Sequence, residues 1–310
     1  MKWGFLFYSQ LIWLLVACTG TRTSTVPQVV HGSVHLQTTA DLYRFLTYRE
    51  NRYPLVSAHR GGPAAGYPEN ALETFEYQLS KQPLIIECDV AMSKDSVLVL
   101  MHDARLDRTT TGQGSLKQHT FAELRQFYLK DPAGVQTHYR IPALDAVLKW
   151  GKGRTLFTLD VKRGVPYRKV IEAVRKAGAA ANVVIITYTA DQAAEVYRLA
   201  PELMISASIR KRDDLLRLNE YGVPDNRLVA FVGTSEAEEP LYGLLHDHGI
   251  LCIVGTMGNL DQQAVTRGDE VYYDLIARGA DILSTDRPEQ AGQQLELFRR
   301  DKKIESPYIK

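Results

Sequence analysis

Between Leu55 and Asp103 the chain sets two histidines, an arginine and two closely spaced carboxylates at the ends of short apolar runs. The segments read Leu55-Val-Ser-Ala-His59-Arg60-Gly61-Gly62, Pro68-Glu69-Asn70, Ile86-Glu87-Cys88-Asp89 and Leu100-Met101-His102-Asp103. In a strand successive side chains point to opposite faces, so Glu87 and Asp89 share a face and Cys88 turns away. Two carboxylates on one face repel, and a hard divalent cation is the usual means of holding them together. His59 and His102 can move protons near neutral pH. These residue types point to metal-assisted acid–base chemistry.

The elements that must position them follow from the hydrophobic pattern. Strands are predicted at Leu55–His59, Leu84–Val90, Thr155–Val161, Val183–Tyr188, Met204–Ser208, Leu228–Val232, Leu251–Val254 and Ile282–Ser284, with Val97–His102 as a side element. Most are continuous apolar runs, as expected of parallel strands covered on their outer face by helices. Helix starts are read at Asn70-x-x-Glu73, Thr120-x-x-Glu123 and Thr189-x-x-Gln192, with later helices over about Glu238–His248, Gln262–Arg278 and Pro288–Arg299. Eight βα units predict an α/β fold of the (β/α)8 TIM barrel type, with an elaborated loop after strand 2. An open doubly wound sheet is disfavoured because no G-x-G-x-x-G follows the first strand.

Active sites of such barrels lie at the C-terminal ends of the strands. His59 and Arg60 end strand 1, Glu87 and Asp89 end strand 2, and His102 ends the side strand. Asp160 and Lys162 end strand 3, Tyr188 ends strand 4, Ser206 and Ser208 end strand 5, and Thr285-Asp286 follows strand 8. One such charge taken alone is usually a structural ion pair; charge at so many strand ends describes a single mouth.

In this order His-Arg-Gly-Gly, Pro-Glu-Asn, Glu-x-Asp, His-Asp with Leu-Asp-Arg-Thr-Thr-x-Gly, and Leu-Asp-x-Lys closely resemble the glycerophosphodiester phosphodiesterases, from about Leu55 to Pro288. The resemblance implies a (β/α)8 barrel that hydrolyses glycerophosphodiesters to glycerol 3-phosphate and an alcohol with a divalent cation, Ca²⁺ or Mg²⁺. By position it implies Glu87, Asp89 and Asp160 as metal ligands, Asp160 standing where the family commonly has a glutamate. It implies His59 and His102 as general base and general acid, Arg60 and Lys162 on the phosphate, and Glu69 in support. Glu69 either orients Arg60 or the glycerol end, or complements the N-terminus of the following helix. One departure is Val254-Gly255-Thr256, with glycine where many members carry tryptophan, which should widen the pocket. A phospholipase-type or glycerophosphoinositol-type enzyme on the same barrel and a substrate-binding lipoprotein are the alternative readings.

The parts suggest a mechanism in which a metal, Arg60 and Lys162 neutralise the phosphodiester while one histidine deprotonates the attacking oxygen and the other protonates the leaving alkoxide. Water and a neighbouring substrate hydroxyl both remain as nucleophile.

With 37 basic and 36 acidic side chains the protein has no general attraction to nucleic acid, and the family resemblance implies a small phosphodiester as its partner. Residues 1–17 read as a signal peptide, and Leu15-Val16-Ala17-Cys18 resembles a bacterial lipobox, which predicts a lipid on Cys18 and a membrane-anchored lipoprotein facing periplasm or exterior. A plain signal peptide that ends in cysteine is the alternative. Residues 18–54 are expected as tether and leading segment, 55–300 as the barrel domain and 301–310 as a polar tail. Cys88 and Cys252 fall in strands and read as small buried apolar residues.

Overall fold

The computed structural model describes Met1 and residues 32–310; the expected signal peptide and Cys18 lie outside them. Eight parallel strands close on themselves: β1 (Leu55–Ala58), β2 (Leu84–Met92), β6 (Leu156–Val161), β7 (Val183–Thr187), β8 (Met204–Ser208), β9 (Leu228–Gly233), β10 (Cys252–Gly255) and β11 (Ile282–Thr285). Closure comes from β1 pairing on both sides, Ser57 with Ile85 of β2 and with Ser284 of β11. The predicted barrel is therefore the observed one.

Strand parity sorts the side chains into layers. Ile86 and Cys88 of β2, Phe157 and Leu159 of β6, and Val183 and Ile185 of β7 point outward into the core shared with the helices. Their neighbours point into the barrel. The lowest interior layer, Leu55, Ile85, Leu156, Val184, Met204, Val229, Leu251 and Ile282, is apolar. Two residues along each strand the side chains become Ser57, Glu87, Thr158, Ile186, Ser206, Phe231, Ile253 and Ser284, and they line a cavity. A further two residues on come His59, Asp89, Asp160, Tyr188 and Ser208. An alternation of period two thus carries the barrel from an oily floor to a charged mouth.

The floor is sealed by residues expected to be a tether and a tail. Helix α1 (Thr39–Phe45) starts at a capping box formed by Thr38 and Asp41. Its Leu42, with Val34, Leu36 and Leu46, is buried against the lowest layer. Val34 pairs with Ile309, and the His35 N–H donates to the Tyr308 carbonyl at 2.7 Å. Much of 34–46 and the end of 301–310 are thus parts of the barrel's base.

Between β2 and β6 lies the elaborated segment. Strand β3 (Leu98–Leu100) runs antiparallel on β2, and β4 (Tyr128–Lys130) pairs with β5 (Gln136–Arg140). It has a small core of its own that includes Leu106, Leu116, Leu124, Leu129 and Ile141.

Two helix expectations fail for local reasons. The helix after Pro68-Glu69-Asn70 starts at Leu72 with no side-chain cap, because the Asn70 amide is engaged by Asp89 instead. The span 262–278 is two helices, Asn259–Arg267 and Glu270–Ala277, broken where Gly268 takes φ +115°. Thr120 and Thr189 do cap their helices.

Candidate active site

Glu87, Asp89 and Asp160 project from β2 and β6 into the barrel mouth, where Asp89 and Asp160 are register partners. All three are buried, and one carboxylate oxygen of each lies within 4.8 Å of the others. Lys162 extends the β6 parity and places Nζ 2.5 Å from Asp89 and 2.6 Å from Asp160. The Glu87 carboxyl is pushed up to about 8, by burial first and then by the negative charge of Asp89. The rise shows how strongly these carboxyls disfavour a further negative charge when no metal cation lies among them. An all-oxygen, buried, anionic donor set of this kind fits a hard divalent cation, and these residues would hold one.

The strand-1 turn is built for close approach. Gly61 has φ +83°, and a Cβ there would lie 2.1 Å from the Phe75 ring. Arg60 itself takes φ +51°, which places its backbone N–H on Glu87 Oε2 at 2.7 Å. The Arg60 side chain does not line the cavity. Its NH1 donates to both Glu69 oxygens, at 3.2 and 3.1 Å, while Nε is buried without a partner, 3.8 Å from Asp89 Oδ2. Glu69 thus touches Arg60, in line with the first of the two readings given for it. Asn70 clamps Asp89 from both sides: Nδ2 donates to Oδ2 at 2.7 Å and Oδ1 accepts from the Asp89 N–H at 2.9 Å.

Each histidine has an aspartate on Nδ1. His59 meets Asp286 Oδ1 at 2.7 Å, and His102 meets Asp103 Oδ1 at 2.7 Å. Both histidines line the cavity. With the proton on Nδ1 donated to the aspartate, Nε2 is the nitrogen left to work. Burial opposes charging His59, but the Asp286 hydrogen bond and the charge of Glu87 outweigh it and raise its pKa. Asp286 is held in turn by buried Asp261, which accepts the Asp286 N–H at 3.0 Å and the Thr285 hydroxyl at 2.8 Å.

The cavity measures about 260 Å³. Beside Asp160, on the next strand, stand its register partner Ile186 and Tyr188, and farther round the barrel Phe231, Ile253 and Met257 line the cavity. The expected widening at Gly255 is corrected here: a Cβ on Gly255 would meet Met257 Sδ at 2.9 Å and Phe231 Cζ at 3.1 Å. Those two side chains take the space that the small residue leaves.

All eight residues singled out in the sequence converge on this mouth, Arg60 and Glu69 just behind the cavity wall. Reading the sequence assigned Asn70 only a helix start, left Asp103, Asp261 and Asp286 without roles, and missed Phe231 and Met257. Asp286 carried the one usable signal, an aspartate directly after a barrel strand. Cys88 and Cys252 are free and buried, as expected.

Fold and site together define a phosphoric diester hydrolase on a (β/α)8 barrel. Residues 59–290 match the model of the Glycerophosphoryl diester phosphodiesterase family, and the chain belongs to that family. A glycerophosphoryl diester phosphodiesterase structure from Parabacteroides distasonis is 34% identical, with TM-score 0.82, covering 86% of this chain and 94% of that one. The glycerophosphodiester phosphodiesterase of Bacillus altitudinis is 26% identical over 76% of this chain and 96% of its own length. An Oleispira antarctica phosphodiesterase, solved with its product sn-glycerol-3-phosphate, shares the fold at TM-score 0.64 and 21% identity, covering 82% of this chain and 99% of that one.

Proposed function

We propose that this protein hydrolyses glycerophosphodiesters to glycerol 3-phosphate and an alcohol, with Glu87, Asp89 and Asp160 holding a Ca²⁺ or Mg²⁺ ion and His59 and His102 moving the protons. One observation carries the reading: three buried carboxylates converge in a cavity walled by two histidines, each backed by an aspartate. A bound divalent cation supplies charge neutralisation at the phosphoryl group. Arg60 Nε lies buried behind the cavity wall without a hydrogen-bond partner, so a small turn of the guanidinium that Glu69 holds would bring it onto a non-bridging oxygen. Lys162 adds a point charge. His59 takes the proton of the attacking hydroxyl as the new P–O bond forms; His102 gives a proton to the alcohol oxygen as the old bond breaks. The product bound to the Oleispira antarctica relative supports glycerol 3-phosphate as the retained half. The Leu15-Val16-Ala17-Cys18 junction supports export and lipid attachment at Cys18.

The test is a panel of glycerophosphodiesters assayed for glycerol 3-phosphate before and after chelation. Activity is expected to vanish on chelation and return with Ca²⁺ or Mg²⁺. Full turnover after exhaustive chelation would overturn the mechanism.

A further inference from the structure

Arg108 belongs to the elaborated segment, outside the cavity, with its side chain half exposed. It nonetheless makes four hydrogen bonds to two carboxylates. Nε and NH2 donate to Asp103 at 2.7 and 2.9 Å; NH1 and NH2 donate to Glu69 at 2.9 Å each. Asp103 holds His102 Nδ1, and Glu69 holds Arg60 NH1. One guanidinium therefore joins the loop that carries His102 to the loop that carries Arg60. The Arg108 hydrogen bond also keeps the Asp103 carboxyl well below the usual carboxylate range, so the partner of His102 stays an acceptor.

Half-exposed ion pairs contribute little to stability, and so elaborate a pairing there calls for another reason. Two bidentate contacts fix direction as well as distance, which a flexible ammonium does not. Buried Leu106, two residues before Arg108, anchors the segment in its own core, so the guanidinium is presented from a fixed base.

We propose that Arg108 is a positioning residue that sets His102 and Arg60 in register with each other. This rests on the reading that His102 moves a proton and Arg60 binds phosphate. Removing the clamp then affects both: His102 loses its oriented Asp103, which lowers kcat, and Arg60 loses its oriented Glu69, which raises KM. Misplacement of about 1 Å costs on the order of 10²-fold, so Arg108→Ala is expected to lose roughly that in kcat/KM, divided between the two constants.

Wild type, Arg108→Ala, Arg108→Lys, Asp103→Asn and the control Arg105→Ala are compared on a glycerophosphodiester and on bis(p-nitrophenyl) phosphate. Among the described residues Arg105 pairs only with exposed Asp107, and its variant is expected to match wild type. Asp103→Asn is expected to lower kcat and leave KM in place. Millimolar guanidinium chloride is expected to restore much of the loss in Arg108→Ala, whereas the point charge of Arg108→Lys restores less. Melting temperatures are expected to stay within a few degrees of wild type. Constants within about twofold of wild type in Arg108→Ala overturn the proposal, as does a loss that follows a lowered melting temperature and resists guanidinium. A readout free of turnover is the downfield His102 Nδ1 proton in NMR, expected in wild type and absent in Arg108→Ala; its persistence also overturns the proposal. Wild type inactive on every diester would defeat the hydrolase mechanism instead, and the NMR comparison would still decide this one.

Discussion

His59 and His102 reach the cavity from different parts of the chain, yet each meets an aspartate through the same ring nitrogen. Replacing either by alanine is expected to lower kcat by roughly 10²–10⁴-fold, the usual contribution of a positioned acid or base. Their Cα positions lie in turns that packing fixes, so circular dichroism is expected to match wild type. Asp286→Asn keeps the size of the partner but removes its charge, and a loss on the order of 10–10²-fold in kcat is expected. Steady-state kinetics on the three variants checks both statements; near wild-type kcat in a histidine variant would make that residue structural. The carboxylate cluster was legible because strand parity puts Glu87 with Asp89, and Asp160 with Lys162, each pair on one face of its strand, while the roles proposed for them and for the histidines came from the family resemblance. Asp286 and Asp261 were not legible in their roles. Their partners lie 227 and 24 residues away, and nothing local marks such pairs.

At the scale of elements, the eight strands were readable because each is a short β-branched run with helices between. Helix α1 was not. Seven residues are too few for a periodic signal, and its apolar face is satisfied only by barrel residues distant in sequence. Its one local mark is the capping pair Thr38 and Asp41. Asn70 looked like a cap for the opposite reason, a cap-type residue whose amide is spent on Asp89. Because α1 closes the base of the barrel, Leu42→Ala is expected to destabilise the protein by about 2–5 kcal/mol, the range for a fully buried leucine. Denaturant melts measure this. Catalytic constants at low temperature are expected to be unchanged, because the substitution lies at the end of the barrel opposite the mouth. A shift under about 0.5 kcal/mol would mean that the base closes without this helix.

For the whole molecule, the expectation of a lipid at Cys18 turns on residues outside the described part of the chain. Fractionation of cells that express wild type and Cys18→Ser is the measurement. Wild type is expected with membranes and the variant in the soluble fraction, both with the same turnover on a soluble diester. Equal solubility would leave only a signal peptide.

The packed base carries an orientational consequence. Ser33 and Val34, near the start of the described residues, sit beneath the lowest apolar layer, while the mouth that holds the candidate site is at the other pole. From Cys18 to Gly32 there are 15 residues, and a chain of that length reaches at most about 50 Å. With the proposed lipid on Cys18, a molecule moored at this end would turn its opening toward open solvent and away from the bilayer. Diesters that diffuse freely, such as head groups already stripped of their acyl chains, then arrive unhindered, whereas a lipid still seated in the bilayer must be met by an enzyme lying on its side. Activity of the anchored form on a soluble glycerophosphodiester is therefore expected to exceed, by tenfold or more, its activity on the same head group carried by a lysophospholipid embedded in vesicles. Equal rates on the two would show that the opening faces the membrane after all.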